Sequence, residues 1–119
     1  MALRGIRGAT TVAANTKEEI ISATRELLEQ IVKENSLKIE AIASILFSAT
    51  PGLNAEFPAA AASQQLGWAE TPLMCLQEID VPEGLPNCIR VLVHVNTDKQ
   101  QSEIKHVYLR AAKKLRSDR

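Results

Sequence analysis

The sequence predicts an α+β fold: a mixed sheet built in the order β-α-β-α-β-β, with one long and one short helix packed on it. Three observations carry that expectation. A capping box opens a long run of helical period at residues 16–34. A nearly continuous apolar run at residues 42–50 is closed by Pro51-Gly52. Ile89, Val91, Val93 and Val95 alternate at the two-residue spacing of a strand. Strands joined by a helix run parallel and strands joined by a loop can run antiparallel, so the sheet should be mixed.

Taken in order, residues 2–14 are rich in Gly, Ile, Thr and Val and read as a strand, with glycines where something packs closely. Thr16 is the expected N-cap with Glu19 three residues on, and Ile20, Ile21, Thr24, Leu27, Leu28, Ile31 and Val32 form the helix's apolar stripe. Glu18, Arg25, Glu26, Glu29, Lys33 and Glu34 fall on a solvated face, and Asn35-Ser36 ends the helix. Residues 42–50 have the profile of a strand buried on both sides. Pro58 at a first helical position, four alanines from Ala59 to Ala62 and Gly67 as a stop mark a short helix able to approach other backbones closely. Residues 73–79 read as a third strand, residues 81–87 as a turn-rich loop and residues 89–97 as a fourth strand. A short strand or turn follows around His106-Val107-Tyr108-Leu109, then a basic tail. One domain is expected over residues 1–116, with residues 117–119 a flexible end.

The composition excludes several classes of function. A chain of 119 residues makes one domain. Its 14 Lys+Arg balance 14 Asp+Glu, so no global field draws it to nucleic acid or an anionic membrane. No segment approaches the roughly 20 apolar residues of a membrane span and no signal-peptide pattern opens the chain, so the expectation is a soluble cytoplasmic protein. Cys75 and Cys88 are too few for a disulfide framework. In a hairpin of the third and fourth strands they would lie about 15 Å apart, against a limit near 7 Å, and are expected as reduced thiols. With His94 and His106 they show no metal-ligand spacing, and no metal or cofactor is expected. His94 reads as a strand-face histidine, His106 as a packing or hydrogen-bonding one, and Trp68 as an anchor for the end of the short helix.

Two charges do not fit an ordinary core. Arg7 and Arg90 each sit inside a segment that otherwise reads as a buried strand. A guanidinium stays charged and costs several kcal/mol to desolvate, so each must meet an anion, from the protein or from a ligand. One small helix layer also cannot cover both faces of the sheet. The uncovered face should meet another copy of the chain, and a closed ring of sheets would remove both exposed face and edges.

The blocks Arg4-Gly5-Ile6-Arg7-Gly8-Ala9-Thr10-Thr11-Val12, Ser48-Ala49-Thr50-Pro51, Phe57-Pro58-Ala59, Cys75-Leu76-Gln77-Glu78-Ile79-Asp80-Val81, Cys88-Ile89-Arg90-Val91 and His106-Val107-Tyr108-Leu109 resemble, in register, the monofunctional trimeric chorismate mutases of the mixed-sheet class. The resemblance implies a homotrimer whose three sheets close into a pseudo-barrel with active sites at subunit interfaces. It implies the cofactor-free rearrangement of chorismate to prephenate in phenylalanine and tyrosine biosynthesis. By the same resemblance Arg90 meets the ether oxygen and the enolpyruvyl group, Arg7 binds its carboxylate, and Glu78 with Cys75 contacts the ring hydroxyl. Tyr108 contributes to the carboxylate site, Phe57, Ala59, Leu73 and Met74 form walls, and Leu115 and Arg116 close the mouth.

The family arrangement further implies that the third strand meets the neighbouring subunit, setting Phe57 and residues 73–78 opposite that subunit's Arg7, Arg90 and Tyr108. Arg90 would then be free for substrate, whereas a simple hairpin would oppose Glu78 and Arg90 as a cross-strand pair. Cys75 and Glu78 are three residues apart, so a regular strand would send them to opposite faces, and only a bulge or strand end lets both reach one ligand. Ala60 and Ser63 stand where the family often has a basic residue. The ring carboxylate would then lie nearer solvent or meet the basic tail. Two other readings stay open from the residues alone: a trimeric binder or processor of small imino or keto acids, and a non-catalytic assembly module in which Arg7 and Glu78 pair across subunits.

Overall fold

The N-cap forms where the sequence places it, but the capping box is not closed. A computed structural model describes residues 1–118, with side chains through Leu115. The long helix, α1 (Lys17–Asn35), opens on Thr16, whose Oγ1 accepts from the Glu19 N–H at 3.1 Å. The Glu19 carboxylate reaches back to the Ala13 N–H at 3.3 Å, one turn further than a closed box would take it. The helix ends with Ser36 at φ 51°, ψ 49°, its N–H bonded to the Lys33 carbonyl and that of Leu37 to Val32, a Schellman finish on serine instead of glycine. Ile20, Thr24, Leu27, Leu28 and Ile31 of the stripe are buried, with Ala23 beside them, while Ile21 and Val32 at its margins are half-buried. Asn35 is buried too, and fully bonded: its Nδ2 donates to Ile31 O (3.0 Å) and Lys105 O (2.9 Å), and its Oδ1 accepts from Lys105 N (2.8 Å).

Five strands form one mixed sheet. They are β1 (Ala2–Thr11), β2 (Ile42–Ala49), β3 (Leu73–Gln77), β4 (Cys88–Thr97) and β5 (Val107–Tyr108), in the order β3-β2-β4-β1-β5. β4 pairs antiparallel with β1 and β2, β3 runs parallel to β2, and β5 runs parallel to β1. The third and fourth strands are therefore not a hairpin. β4 is the strand with the longest clean alternation, and it takes the centre because it can pair along nearly its whole length with a neighbour on each side. β3 is left at one edge, and the 106–109 segment supplies the short fifth strand at the other.

On one face Ile6, Ile45, Phe47, Val91, Val93 and Val95 pack beneath Leu27, Leu28 and Ile31 of α1. Gly8 permits this approach. A Cβ there would lie 2.8 Å from Ile31 Cδ1, 3.1 Å from Val91 Cγ2 and 3.2 Å from Leu27 Cδ1. Gly8→Val is expected to lower stability by about 1–3 kcal/mol through overpacking, read as an earlier urea midpoint, with a smaller loss for Gly8→Ala. An unchanged midpoint for the valine variant would mean that helix and sheet are not fixed against each other here. The short helix is confined to Ala61–Gln65 and is wound wide, with Leu66 N–H bonded to Ala61 O; it ends at Gly67, φ 72°. Ala61 and Ala62 are fully buried, and Trp68 packs partly buried against the core.

The second face is only partly covered. After β5 the chain turns through Arg110 (φ 53°) into helical turns spanning Arg110–Asp118, so the expected tail has regular structure. Ala112 is set against Ala9 and Cys88, with Tyr108, Leu85 and Leu115 around them. Elsewhere this face carries Arg7, Leu92, His94, Ser44 and Leu46, half-buried, and Leu3, Met74 and Leu76, exposed at 56%, 57% and 50%.

Candidate active site

Strand register lines up the candidate residues. Tyr108 lies opposite Ala9, Ala9 opposite Arg90, Arg90 opposite Ser48 and Ser48 opposite Leu76, a row across the second face. Arg7, two residues before Ala9, shares that face. β3 stops at Gln77, and the Glu78 N–H bonds to Ala49 O at 2.9 Å. Ser48 Oγ donates to Glu78 Oε1 at 2.6 Å, and Glu78 Oε2 lies 3.3 Å from Arg90 Nε.

Arg90 is therefore not left clear of Glu78, as the family arrangement had suggested. No hairpin is needed: the carboxylate reaches across from the end of β3 over Ser48. Yet the contact is one of charge alone, because the buried Arg90 Nε–H has no acceptor in line. Such a donor costs free energy when buried and is available to a ligand oxygen. Arg7 differs again. Its backbone N–H bonds to His106 Nδ1 at 2.9 Å, while its half-buried guanidinium makes no hydrogen bond or ion pair among the described residues.

The remaining candidates fall into a second group. Cys75 points with Leu73 away from Met74 and Leu76, and the two pack beside Ala59 on the helix-covered side. It lines a 460 Å³ cleft with Phe57, Ala59, Ala60, Ser63, Gln64 and Leu73. Glu78 and Arg90 line a different cleft, of 210 Å³, against Thr50, Pro51 and the loop of residues 79–86. The strand end after Gln77 is present, but it does not bring Cys75 and Glu78 to one site within the chain. Burial pushes the Cys75 thiol up, opposed by a backbone hydrogen bond at Ala59. Cys88, almost fully buried, is also pushed up by burial, with the Arg90 charge lowering it and Glu78 raising it. Both cysteines are free thiols.

Phe57 stands four residues before the short helix at 71% exposure. The loop before it is clasped by Asn15, whose Oδ1 accepts from Asn54 N and Ala55 N at 3.0 Å each and whose Nδ2 donates to Asn54 Oδ1 at 2.8 Å. Ala60 is buried and Ser63 Oγ donates to Ala59 O at 3.3 Å, so this helix brings no cation where the family often has one. Tyr108 and Leu115 lie together, Leu73 is partly buried and Met74 stands exposed on the open face. The Arg116 side chain lies outside the described residues.

Sequence reasoning gave no role to Ser48 or Asn15, and named His106 only as a packing or hydrogen-bonding residue without its partner. Ser48 had a signal: with Ser44, four residues earlier, it breaks the apolar run of β2 on the face that Arg90 shares.

The mixed five-stranded sheet that carries these residues is shared with a solved chorismate mutase. The family model described as "Chorismate mutase type I" matches residues 3–119, and the chain belongs to that family. It is 51% identical over 118 residues to chorismate mutase AroH of Bacillus subtilis (strain 168), a match covering 99% of this chain and 93% of that protein. AroH of Thermus thermophilus is 46% identical over 117 residues, covering 98% and 95%. The solved structure of a chorismate mutase from Clostridium thermocellum matches with a TM-score of 0.89 at 52% identity, over 92% of this chain and 96% of that one. No helix among the described residues is long and apolar enough to cross a membrane.

Proposed function

We propose that this chain converts chorismate to prephenate as a cytoplasmic homotrimer, with each active site shared between two subunits. The observation that carries the reading is the pair of arginines on one face. One guanidinium meets no anion among the described residues and the other faces Glu78 with its Nε–H out of line. A dicarboxylate supplies what both lack. The rearrangement breaks an ether bond as it forms a carbon–carbon bond and moves no proton, so the protein's task is to hold the compact conformer and stabilise charge at the ether oxygen. An acceleration of roughly 10⁶ corresponds to about 8 kcal/mol. One preorganised donor is typically worth about 3–4 kcal/mol, so Arg90 supplies close to half and conformer restriction the rest. Arg7 and Tyr108 take the side-chain carboxylate, Glu78, fixed by Ser48, accepts from the ring hydroxyl, and Leu115 and Arg116 close the mouth.

Size argues for sharing. Ligand pockets usually run about 300–1,000 Å³, and the Arg90 cleft, at 210 Å³, is only part of one. Phe57, Ala59, Leu73, Met74 and Cys75 of one subunit then complete the cleft of the next. The exposure of Phe57, Leu3, Met74 and Leu76 and the open edge of β3 support that assembly. The test is purified protein mixed with chorismate, with sedimentation run alongside. The expected result is loss of the diene absorbance with matching formation of prephenate, without added metal or cofactor, by a species of three chains. Loss no faster than without protein would overturn the reading.

A further inference from the structure

β5 is only two residues long and pairs with Gly8 and Ala9 alone, so the outer edge of β1 before Gly8 has no strand beside it. Side chains take its place. Gln101 pairs with Gly5 as a strand residue would, its Nε2 donating to Gly5 O at 2.8 Å and its Oε1 accepting from Gly5 N at 3.1 Å. One step on, His106 Nδ1 accepts from Arg7 N at 2.9 Å. The imidazole thus stands where a longer β5 would put a carbonyl. It links the backbone of Arg7 to the strand that carries Tyr108, two residues further along.

We propose that His106 is a positioning residue for substrate binding: it fixes Arg7 relative to Tyr108 through a hydrogen bond that only the neutral imidazole can accept. The inference rests on the reading of Arg7 as the group that binds the substrate carboxylate. An acceptor at Nδ1 puts the ring proton on Nε2. Protonation places a second N–H at Nδ1, facing the Arg7 N–H, and the bond is lost.

The surroundings favour the neutral form. Burial first, and then the Arg7 charge, hold the imidazole below its ordinary value of 6.5. Arg7 is the charged group facing it from β1. From α1 the segment is reached through neutral Asn35, which grips the Lys105 backbone, while Lys105 and Arg110 flank β5 in the chain. Because the folded-state value is lowered, the bond and the stability it adds are complete above 6.5. Both are lost as pH falls through the lowered value.

The test measures kcat and KM for chorismate from about pH 5 to 8 in the wild type, His106→Gln and His106→Ala, with the Arg7 amide followed by ¹⁵N NMR. Glutamine keeps an acceptor that does not titrate. In the wild type, KM should rise about fivefold as the ring protonates, the size of one backbone hydrogen bond, while kcat holds. His106→Ala should show the raised KM at every pH, and His106→Gln should stay near the neutral wild-type value throughout. The Arg7 amide resonance should titrate with His106. A glutamine variant whose KM follows the wild-type pH dependence, or an Arg7 amide that ignores the titration, would overturn the proposal. If the wild type shows no turnover, the functional reading falls, and the amide titration still decides the positioning bond.

Discussion

Arg90→Lys is expected to lower kcat by roughly 10² or more, about 3 kcal/mol, with the fold intact. Arg90 lies beside Glu78 at 3.3 Å, and Ser48 holds the other oxygen of that carboxylate, so the guanidinium is fixed before substrate arrives. A planar fork can face Glu78 with one edge and still offer donors to a ligand oxygen. A lysine ammonium is compact and strongly hydrated, and on its different reach it settles on Glu78 or on the ligand, not on both. Arg7→Lys should instead raise KM with a smaller change in kcat, because a carboxylate is bound about equally in the ground and transition states. Both parameters for both variants decide the matter. Equal, modest losses at the two positions would mean that Arg90 has no special relation to the breaking bond.

Mixing two inactive variants should restore roughly a quarter of wild-type activity when the lesions lie in different half-sites. Arg90→Ala removes the cation of one half, and Phe57→Asp sets a negative charge in the other at an exposed position that does not test the core. In randomly mixed cyclic trimers about three-quarters contain both variants, and each of those has one interface in three where two intact halves meet. Arg90→Ala mixed with Glu78→Ala should restore nothing, because the ion pair puts both residues in the same half. Recovery with Glu78→Ala but not with Phe57→Asp would reverse that assignment.

The contrast between those mixtures marks where the sequence stops being legible. Thr16, Glu19 and the stripe from Ile20 to Ile31 specify α1 because capping and helical period are local, and the alternation of β4 is local as well. That β2 lies between β3 and β4 is not local. Nothing in residues 73–97 says which strand pairs with which, so the relation of Glu78 to Arg90 stayed open between a hairpin and a subunit contact. The structure gives a third geometry, over Ser48. Cys75 and Glu78 were read from a family block as partners on one ligand. Within one chain the alternation of β3 turns Cys75 toward Phe57 and Ala59, away from the cleft that Glu78 lines beyond the strand end. The partners of Asn15, Asn35 and His106 were illegible for a related reason. Each side chain bonds to backbone far away in sequence, and only the topology brings that backbone within reach. The arginines were the opposite case. Two permanent charges inside strand patterns demanded anions whatever the topology, and one of them meets none among the described residues.

The central claim is that fixed charges carry the reaction and no proton moves in it. The pH profile of kcat tests this most directly. Arginine does not titrate in the working range, and His106 acts on KM, so kcat should be nearly flat from about pH 6 to 9. A bell-shaped kcat with both limbs inside that window would show a general acid and base at work and would contradict the account.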